Sequence, residues 1–439
     1  MRTILLLLVS TSLAFAQRTL PLTMKRAVEI AVAPEGSPRV TLAEESIKLA
    51  EARRAESRAA LLPDLSSSVS ERRQTVNLRT FGFDFGLPFQ GFAFPSLVGP
   101  FSVFDARASA SQTVFNFSSL RAFQASRVNV SVAKSEFDAT KSQVSDQVAR
   151  SYLAALRADA ALETARANVE LSEALLKLAQ KQKEAGTGTG IEVTRAQVQL
   201  ANDRQRMLVA ENDRRRAVLN LLKTMGLKLD ANVEVTDKLS YQAADLGSLE
   251  DAVARARKSR AELKAQVQRE DSARLSHSAA KAERLPSIGA SADYGTIGSG
   301  LVGAQPTYTY GISVRVPVFN GGREEAHRAE SLSQYRQERT RTRDLEDQVE
   351  LEVRLAFDSI RSAAAQVQTA QEGVQLSENE LAQARRRYEA GVTNSIEVTD
   401  AQTRLDRARD NHIAALYNYN LARIDLATAT GSIREFVNQ

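Results

Sequence analysis

Glu184-Ala185-Gly186, followed by Ile191-Glu192-Val193-Thr194-Arg195-Ala196-Gln197, returns as Glu389-Ala390-Gly391 followed by Ile396-Glu397-Val398-Thr399-Asp400-Ala401-Gln402. The offset is a constant 205 residues. Without a gap it also carries Val148 onto Val353, Tyr152 onto Phe357, Leu200 onto Leu405 and Gly226 onto Gly431. A period this long is a duplicated domain, and it excludes the short-period solenoids.

Outward from these motifs, each copy reads as a long helical hairpin. Helix breakers are few from Ser119 to Ala185 and from Arg323 to Ala390. At 1.5 Å per residue such stretches are rods of about 100 Å, a length that calls for coiled-coil packing. Gly186, Gly188 and Gly190 turn the chain in the first copy, and Gly391 turns it in the second. The Gly-Thr-Gly-Thr-Gly run is no phosphate loop, because no Gly-Lys-Ser/Thr follows it. In the second return arm Ala401, Ala408, Ala415, Ala422 and Ala429 recur every seven residues. Val398, Leu405, His412, Tyr419 and Leu426 form a parallel stripe. A small-residue column beside a larger one suits close helix pairing, and it makes His412 a seam residue rather than a metal ligand. The first return arm, Ile191 to Gly226, and the stretch Ser248 to Leu285 read as two shorter helices stacked end to end beside a long one.

Before each long helix the period changes to two. A helical stretch ends at Pro63 or Pro286, which fixes φ and lacks an N–H donor. After Pro286, Ile288, Ala290, Ala292 and Tyr294 alternate with small or polar residues, as do Tyr308, Tyr310, Ile312, Val314, Val316 and Val318. These are strands with one apolar face. Val103 to Phe117 is the matching strand of the first copy, while Ser66, Ser67 and Ser68 blur the faces of the strand after Pro63. Half of the 16 phenylalanines fall between Phe81 and Phe104. They suit an aromatic membrane girdle, a plug of packed loops, or a small local core.

Composition removes most enzyme classes. There is no cysteine, and His277, His327 and His412 have no metal-ligand spacing. No nucleophile–base or metal set can be assembled, so no catalytic activity and no cofactor is expected. The net charge of +5 comes from 58 basic and 53 acidic residues that interleave along the chain. This pattern marks solvated helix faces and argues against nucleic acid as a partner.

Arg2, the apolar run Ile4 to Val9, and Ala14-Phe15-Ala16 before Gln17 have the layout of a secretory signal peptide. No run of 18 or more apolar residues follows, so any membrane insertion must use strands. Four strands cannot close a barrel alone, and open edges are not tolerated in lipid. Three copies would supply twelve strands, within the range of bacterial outer-membrane barrels.

With these features together, the chain resembles the TolC family of outer-membrane factors, the exit ducts of tripartite efflux pumps and type I secretion systems. The resemblance runs from Leu20 to Gly431. It rests on the duplication, on Leu62-Pro63 and Leu285-Pro286, on Val318-Phe319-Asn320-Gly321-Gly322, and on the two hairpin tips. It implies an α+β membrane protein that forms, as a homotrimer, a 12-stranded outer-membrane β-barrel continuous with a periplasmic α-helical coiled-coil barrel. It also implies a closed periplasmic end, opened by a periplasmic adaptor (membrane fusion) protein and an inner-membrane pump. The expected division is 1–16 signal peptide, 17–226 first repeat with strand pair 63–117 and tip near 186–191, and 227–247 equatorial link. A second repeat at 248–431, with strand pair 286–320 and tip near 391–396, and a 432–439 tail complete it.

By position, Glu397 and Asp400 resemble the acidic residues that ring the pore entrance of such ducts. Three copies would place a double ring of carboxylates at a narrow mouth, which favours cations and binds multivalent ones. The plain alternative is two solvated tip residues of no special role. Glu192 is the first-copy counterpart of Glu397, and Arg195 stands where the second copy has Asp400. An Arg195 contact with an acidic partner would hold such a gate shut. Thr393-Asn394 occupies the place where some members carry an arginine lock, and Ala33 to Pro38 interrupts the first helix where members have a shorter turn. The competing reading is an exported periplasmic coiled-coil scaffold or adaptor without a barrel. It accounts for the hairpins but not for four alternating segments at matching points of two repeats.

Overall fold

The computed structural model describes residues 20–34, 36–82 and 96–438, with backbone only at Phe81. The expected signal segment and five of the loop phenylalanines, Phe83, Phe85, Phe89, Phe92 and Phe94, lie outside these residues. In chain order the elements are β1 (Leu20–Leu22), α1 (Met24–Val32), α2 (Pro38–Ala59), β2 (Asp64–Asn77), a 3-10 turn (Leu78–Phe81) and β3 (Leu97–Phe115). Then come α3 (Phe117–Glu184), α4 (Gly190–Met225), β4 (Val233–Val235), α5 (Leu249–Ser259) and α6 (Ala261–Ala282). The chain ends with β5 (Ser287–Gly298), β6 (Gln305–Arg315), α7 (Arg323–Glu389), α8 (Ser395–Ala429) and α9 (Ile433–Asn438). The described residues form two compact units.

One unit, residues 47–133 and 265–342, holds an antiparallel sheet in the order β2-β3-β5-β6. Its register sorts side chains cleanly. The row Ser66, Ser109, Asp293, Thr309 crosses all four strands on one face, and the next row, Leu65, Ala110, Ala292, Tyr310, crosses on the other. Ser67, Ala108, Tyr294 and Tyr308 continue the apolar side. That side is bare: Tyr310 is 79% and Ile312 is 78% exposed. Such a surface is unstable in water and suited to hydrocarbon. β2 and β6 each have one partner among the described strands. The sequence pattern carried the last strand to Val318, but pairing stops at Arg315, two residues before Pro317, which has no N–H to donate.

The other unit, residues 20–46, 134–264 and 343–438, is built on two helical hairpins. α3 and α4 are antiparallel partners, tied by Arg204 to Glu173 at 2.8 Å and by Arg214 to Asp159. α7 and α8 are tied in the same way by Arg409 to Glu378 at 3.1 Å and by Arg404 to Glu380. The alanine column is buried at Ala401, Ala415, Ala422 and Ala429, and Val398, Leu405 and Tyr419 of the larger stripe are buried with it. Ala408 and His412 are half-buried.

A helix expected to run unbroken from Ser248 breaks at Arg260, between α5 and α6. A residue remote in sequence packs against this break. Gly431, just past the α8 C-cap Thr430, comes so close that a Cβ there would lie 2.9 Å from Ser259 Oγ, and Ser259 donates to the Thr430 carbonyl at 2.7 Å. The first repeat does the same: Gly226 approaches the break between α1 and α2 at Gly36-Ser37.

The largest core gathers Leu22, Val28, Val40, Val148, Tyr152, Met225 and the α9 residues Ile433 and Val437. β1 pairs in parallel with β4 at its edge, Leu20 opposite Val233. The fully buried Tyr152 hydroxyl can donate to the Leu22 carbonyl or to the Asp237 carboxylate, each 2.8 Å away. Tyr152→Phe removes that donor while other N–H groups still reach both acceptors. The expected loss is about 1–2 kcal/mol, seen as a lower melting temperature by circular dichroism in detergent.

Candidate functional site at the hairpin turns

The two turns end their long helices with matching backbone bonds. Thr187 N–H donates to the Gln182 carbonyl at 2.9 Å, and Val392 N–H donates to the Arg387 carbonyl at 2.9 Å, one repeat apart. Gly186 and Gly391 both have φ of 71°, the left-handed conformation that ends a helix in this way. Gly188 and Gly190 do not lie at positive φ; a Cβ on Gly188 would come 3.0 Å from Gln182 Cβ, whereas one on Gly190 would meet nothing within 4 Å.

The candidate gate residues fare differently. The Glu192 carboxylate caps α4, accepting the Thr189 N–H at 2.9 Å. It also lies near Tyr388, whose hydroxyl proton is held more tightly than usual, first by burial and then by the Glu192 charge. Glu397 is half-buried, 3.3 Å from the Arg387 guanidinium, and accepts from the Thr393 hydroxyl. So Thr393, standing where an arginine lock was looked for, bonds to the acidic residue four positions on. Arg195 and Asp400 are exposed, and neither has an ion pair among the described residues. A cavity of about 30 Å³ lies among Glu192, Tyr388, Ser395 and Gln402, and the buried hydroxyls of Tyr388 and Ser395 have no hydrogen-bond partner. The turns are joined by the packing of Leu381, Ala384, Tyr388, Val398 and Leu405 against Leu171, Leu175 and Leu178.

Further along the helices lies a polar cluster that sequence reading missed. Ser172 of α3 donates to Asp203 of α4 at 2.5 Å, and Gln402 of α8 donates to Ser172 at 2.8 Å. Gln199 donates to Asp203 at 3.1 Å. Arg206 bridges Asp203 at 3.5 Å and Asp406 at 3.2 Å. Ser172, Asp203, Gln402 and Asp406 are all buried. Burial, reinforced by the Asp203 charge and opposed by Arg206, pushes the Asp406 carboxyl up to about 6. The signal was in the repeat offset: Asp203 falls on Ala408 of the alanine column, and Asp406 falls on Ala201.

The sheet carries a second charge cluster on its polar side. Arg107 of β3 reaches Asp105 of its own strand and Asp293 of β5 at 2.8 Å each, beside Gly295, where a Cβ would meet Arg107 Cβ at 2.4 Å.

A strand set with one bare apolar face, on a chain of duplicated helical hairpins, has the build of an outer-membrane channel subunit. Solved structures share it. The Campylobacter jejuni CmeC outer membrane channel aligns with a TM-score of 0.78 at 15% identity, over 93% of this chain and 85% of that one. CusC aligns with a TM-score of 0.79 at 19% identity over 94% of each chain. Among curated proteins, the pyoverdine export outer membrane protein OpmQ of Pseudomonas putida is 24% identical over 92% of this chain and 84% of its own length. The outer membrane protein TolC of Vibrio cholerae is 23% identical over 74% of this chain and 76% of its own. The model of the outer membrane efflux protein family matches residues 30–227 and 252–432. The chain belongs to that family and is an outer-membrane protein with a helical periplasmic portion.

Proposed function

We propose that three copies close their sheets into one barrel, β6 of each pairing with β2 of the next, to form the outer-membrane exit duct of an efflux or secretion system. The observation that carries this reading is the register. Continuous apolar rows face outward across four strands, and both edge strands remain free to pair. A barrel is the arrangement that leaves no edge in lipid. The two repeats, joined through 227–247, would each contribute one hairpin to a helical tunnel in the periplasm. An adaptor protein and an inner-membrane pump would engage that tunnel. Among the relatives, OpmQ is a pyoverdine export protein and AprF of Pseudomonas aeruginosa an alkaline protease secretion protein, which supports an exit duct.

The gate would lie at the hairpin turns, with Asp400 its principal charge. Glu397 is partly neutralised by Arg387, whereas Asp400 is exposed and has no ion pair among the described residues. In planar bilayers, Asp400→Ala is expected to weaken block by multivalent cations by on the order of 100-fold, since three carboxylates of about 1 kcal/mol each are removed. Glu397→Ala is expected to do less. Conducting channels with unchanged block in both variants would place the gate elsewhere. Protein that extracts without detergent as a monomer would overturn the duct.

A further inference from the structure

We propose that Asp406 binds a proton that latches the second hairpin onto the first, and that losing this proton frees the hairpins to separate. The proposal rests on the reading of the hairpin turns as a gate and adds a control to it.

The argument begins with unmatched atoms. Gln402 Oε1 and Asp406 Oδ1 are both buried, both acceptors, and neither has a hydrogen-bond partner. The Gln402 amide cannot simply flip, because its Nε2 already donates to Ser172. The two residues are four apart on α8, the spacing at which side chains of one helix face are neighbours. Two buried acceptors without a donor are costly, and one proton resolves both. A carboxylic O–H on Asp406 would donate to Gln402 Oε1 within α8, satisfying the amide whose Nε2 already reaches Ser172 and, through it, Asp203 of the first hairpin.

Charge balance points the same way. α4 presents Asp203 and Arg206 to Asp406, and α8 adds Asp410, itself raised by burial. α3 contributes the neutral Ser172 and Asn168, with Arg157 acting on Asp410. Asp203, Asp213, Asp406, Asp410 and Arg206 line one groove of about 500 Å³, into which Asn168 also turns, its buried Oδ1 unpartnered among the described residues. Arg206 alone cannot neutralise the carboxylates around it. Polar residues placed in an otherwise alanine-lined coiled-coil seam reduce stability, and their best-attested use is to set register or act as a switch.

The sign follows from the direction of the shift. The carboxyl is raised from 3.8 to about 6 in the closed arrangement, so the proton-bound latch is strongest in acid and is lost as pH rises through about 6. If separation restores the ordinary value, the opening equilibrium changes by up to about 100-fold, tenfold per unit.

The test compares the reconstituted trimer with its Asp406→Asn variant, whose amide donates without titrating, from about pH 4.5 to about pH 8. Wild-type opening should rise with pH, with a midpoint near 6. The Asn variant should stay at the acid level throughout. A matching pH profile in the two proteins overturns the latch. Because the chain has no cysteine, spin labels at Lys177→Cys on α3 and Arg407→Cys on α8 report the hairpin separation without any need for conduction. The label distance should lengthen with pH in the wild type and not with Asp406→Asn. A wild-type distance constant over this range overturns the latch even in a conducting channel. A pH-dependent distance in a protein that never conducts keeps the latch and sinks the duct.

Discussion

Ala292→Arg is expected to abolish assembly in the outer membrane, while Ser291→Arg, one residue away, assembles normally. Both sit near the middle of the 12-residue β5, on opposite faces of the sheet. Ala292 belongs to the row of Leu65, Ala110 and Tyr310, and Ser291 pairs with Ser111 and Gly311. An arginine turned to lipid at mid-depth costs about 2–4 kcal/mol per chain, or about 6–12 kcal/mol in a trimer. On the polar side the same residue meets water and other polar groups, at a cost of about 0–1 kcal/mol. Outer-membrane fractionation and the heat-modifiable trimer band on gels check both. Equal assembly of the two variants would mean that the apolar face does not meet lipid. With Ser291→Arg, cation preference in bilayers should fall, because lumen charges tune selectivity.

Gly226→Ala should be strongly destabilising in the helical unit. At φ of 78° a Cβ costs about 1–2 kcal/mol. Here it would also lie 2.7 Å from the Gly36 carbonyl oxygen, and relieving such a clash costs about 1–3 kcal/mol more. The expected total is about 2–5 kcal/mol. Gly391→Ala separates the two effects. Its φ is 71°, yet nothing lies within 4 Å of the added carbon, so only the conformational cost of about 1–2 kcal/mol applies. Melting followed by the helical circular-dichroism signal should therefore fall much further for Gly226→Ala. Equal losses would show that the glycine serves its turn and not the close approach to the α1–α2 break.

The two repeats differ in how openly they reveal themselves. In the second, Ile288, Ala290, Ala292 and Tyr294 alternate without interruption, and the strand is legible at once. In the first, Ser67 sits in the apolar row and Ser66 and Ser68 in the polar one, so the faces emerge only through pairing with Ala108, Ser109 and Arg107. Glu397 reads as a pore-mouth carboxylate only through the resemblance of its position. Its cation, Arg387, stands ten residues back across the turn, and only the folded hairpin brings the two together.

The sequence by itself determined the duplication, the hairpin turns, the strand entries at Pro63 and Pro286, and the amphipathic strands. These are local signals: backbone conformation at glycine and proline, and side-chain period along one element. Tertiary structure decided the rest. The helix break at Arg260 packs against Gly431, the polar cluster at Asp203 and Asp406 is buried by packing of α4 on α8, and the Arg107 bridge needs the β3–β5 register. In the chain, Asp203 and Asp406 look like any other charges on interleaved helix faces. Burial and charge compensation depend on residues some two hundred positions apart, and no periodicity within one helix records which face its partner will cover.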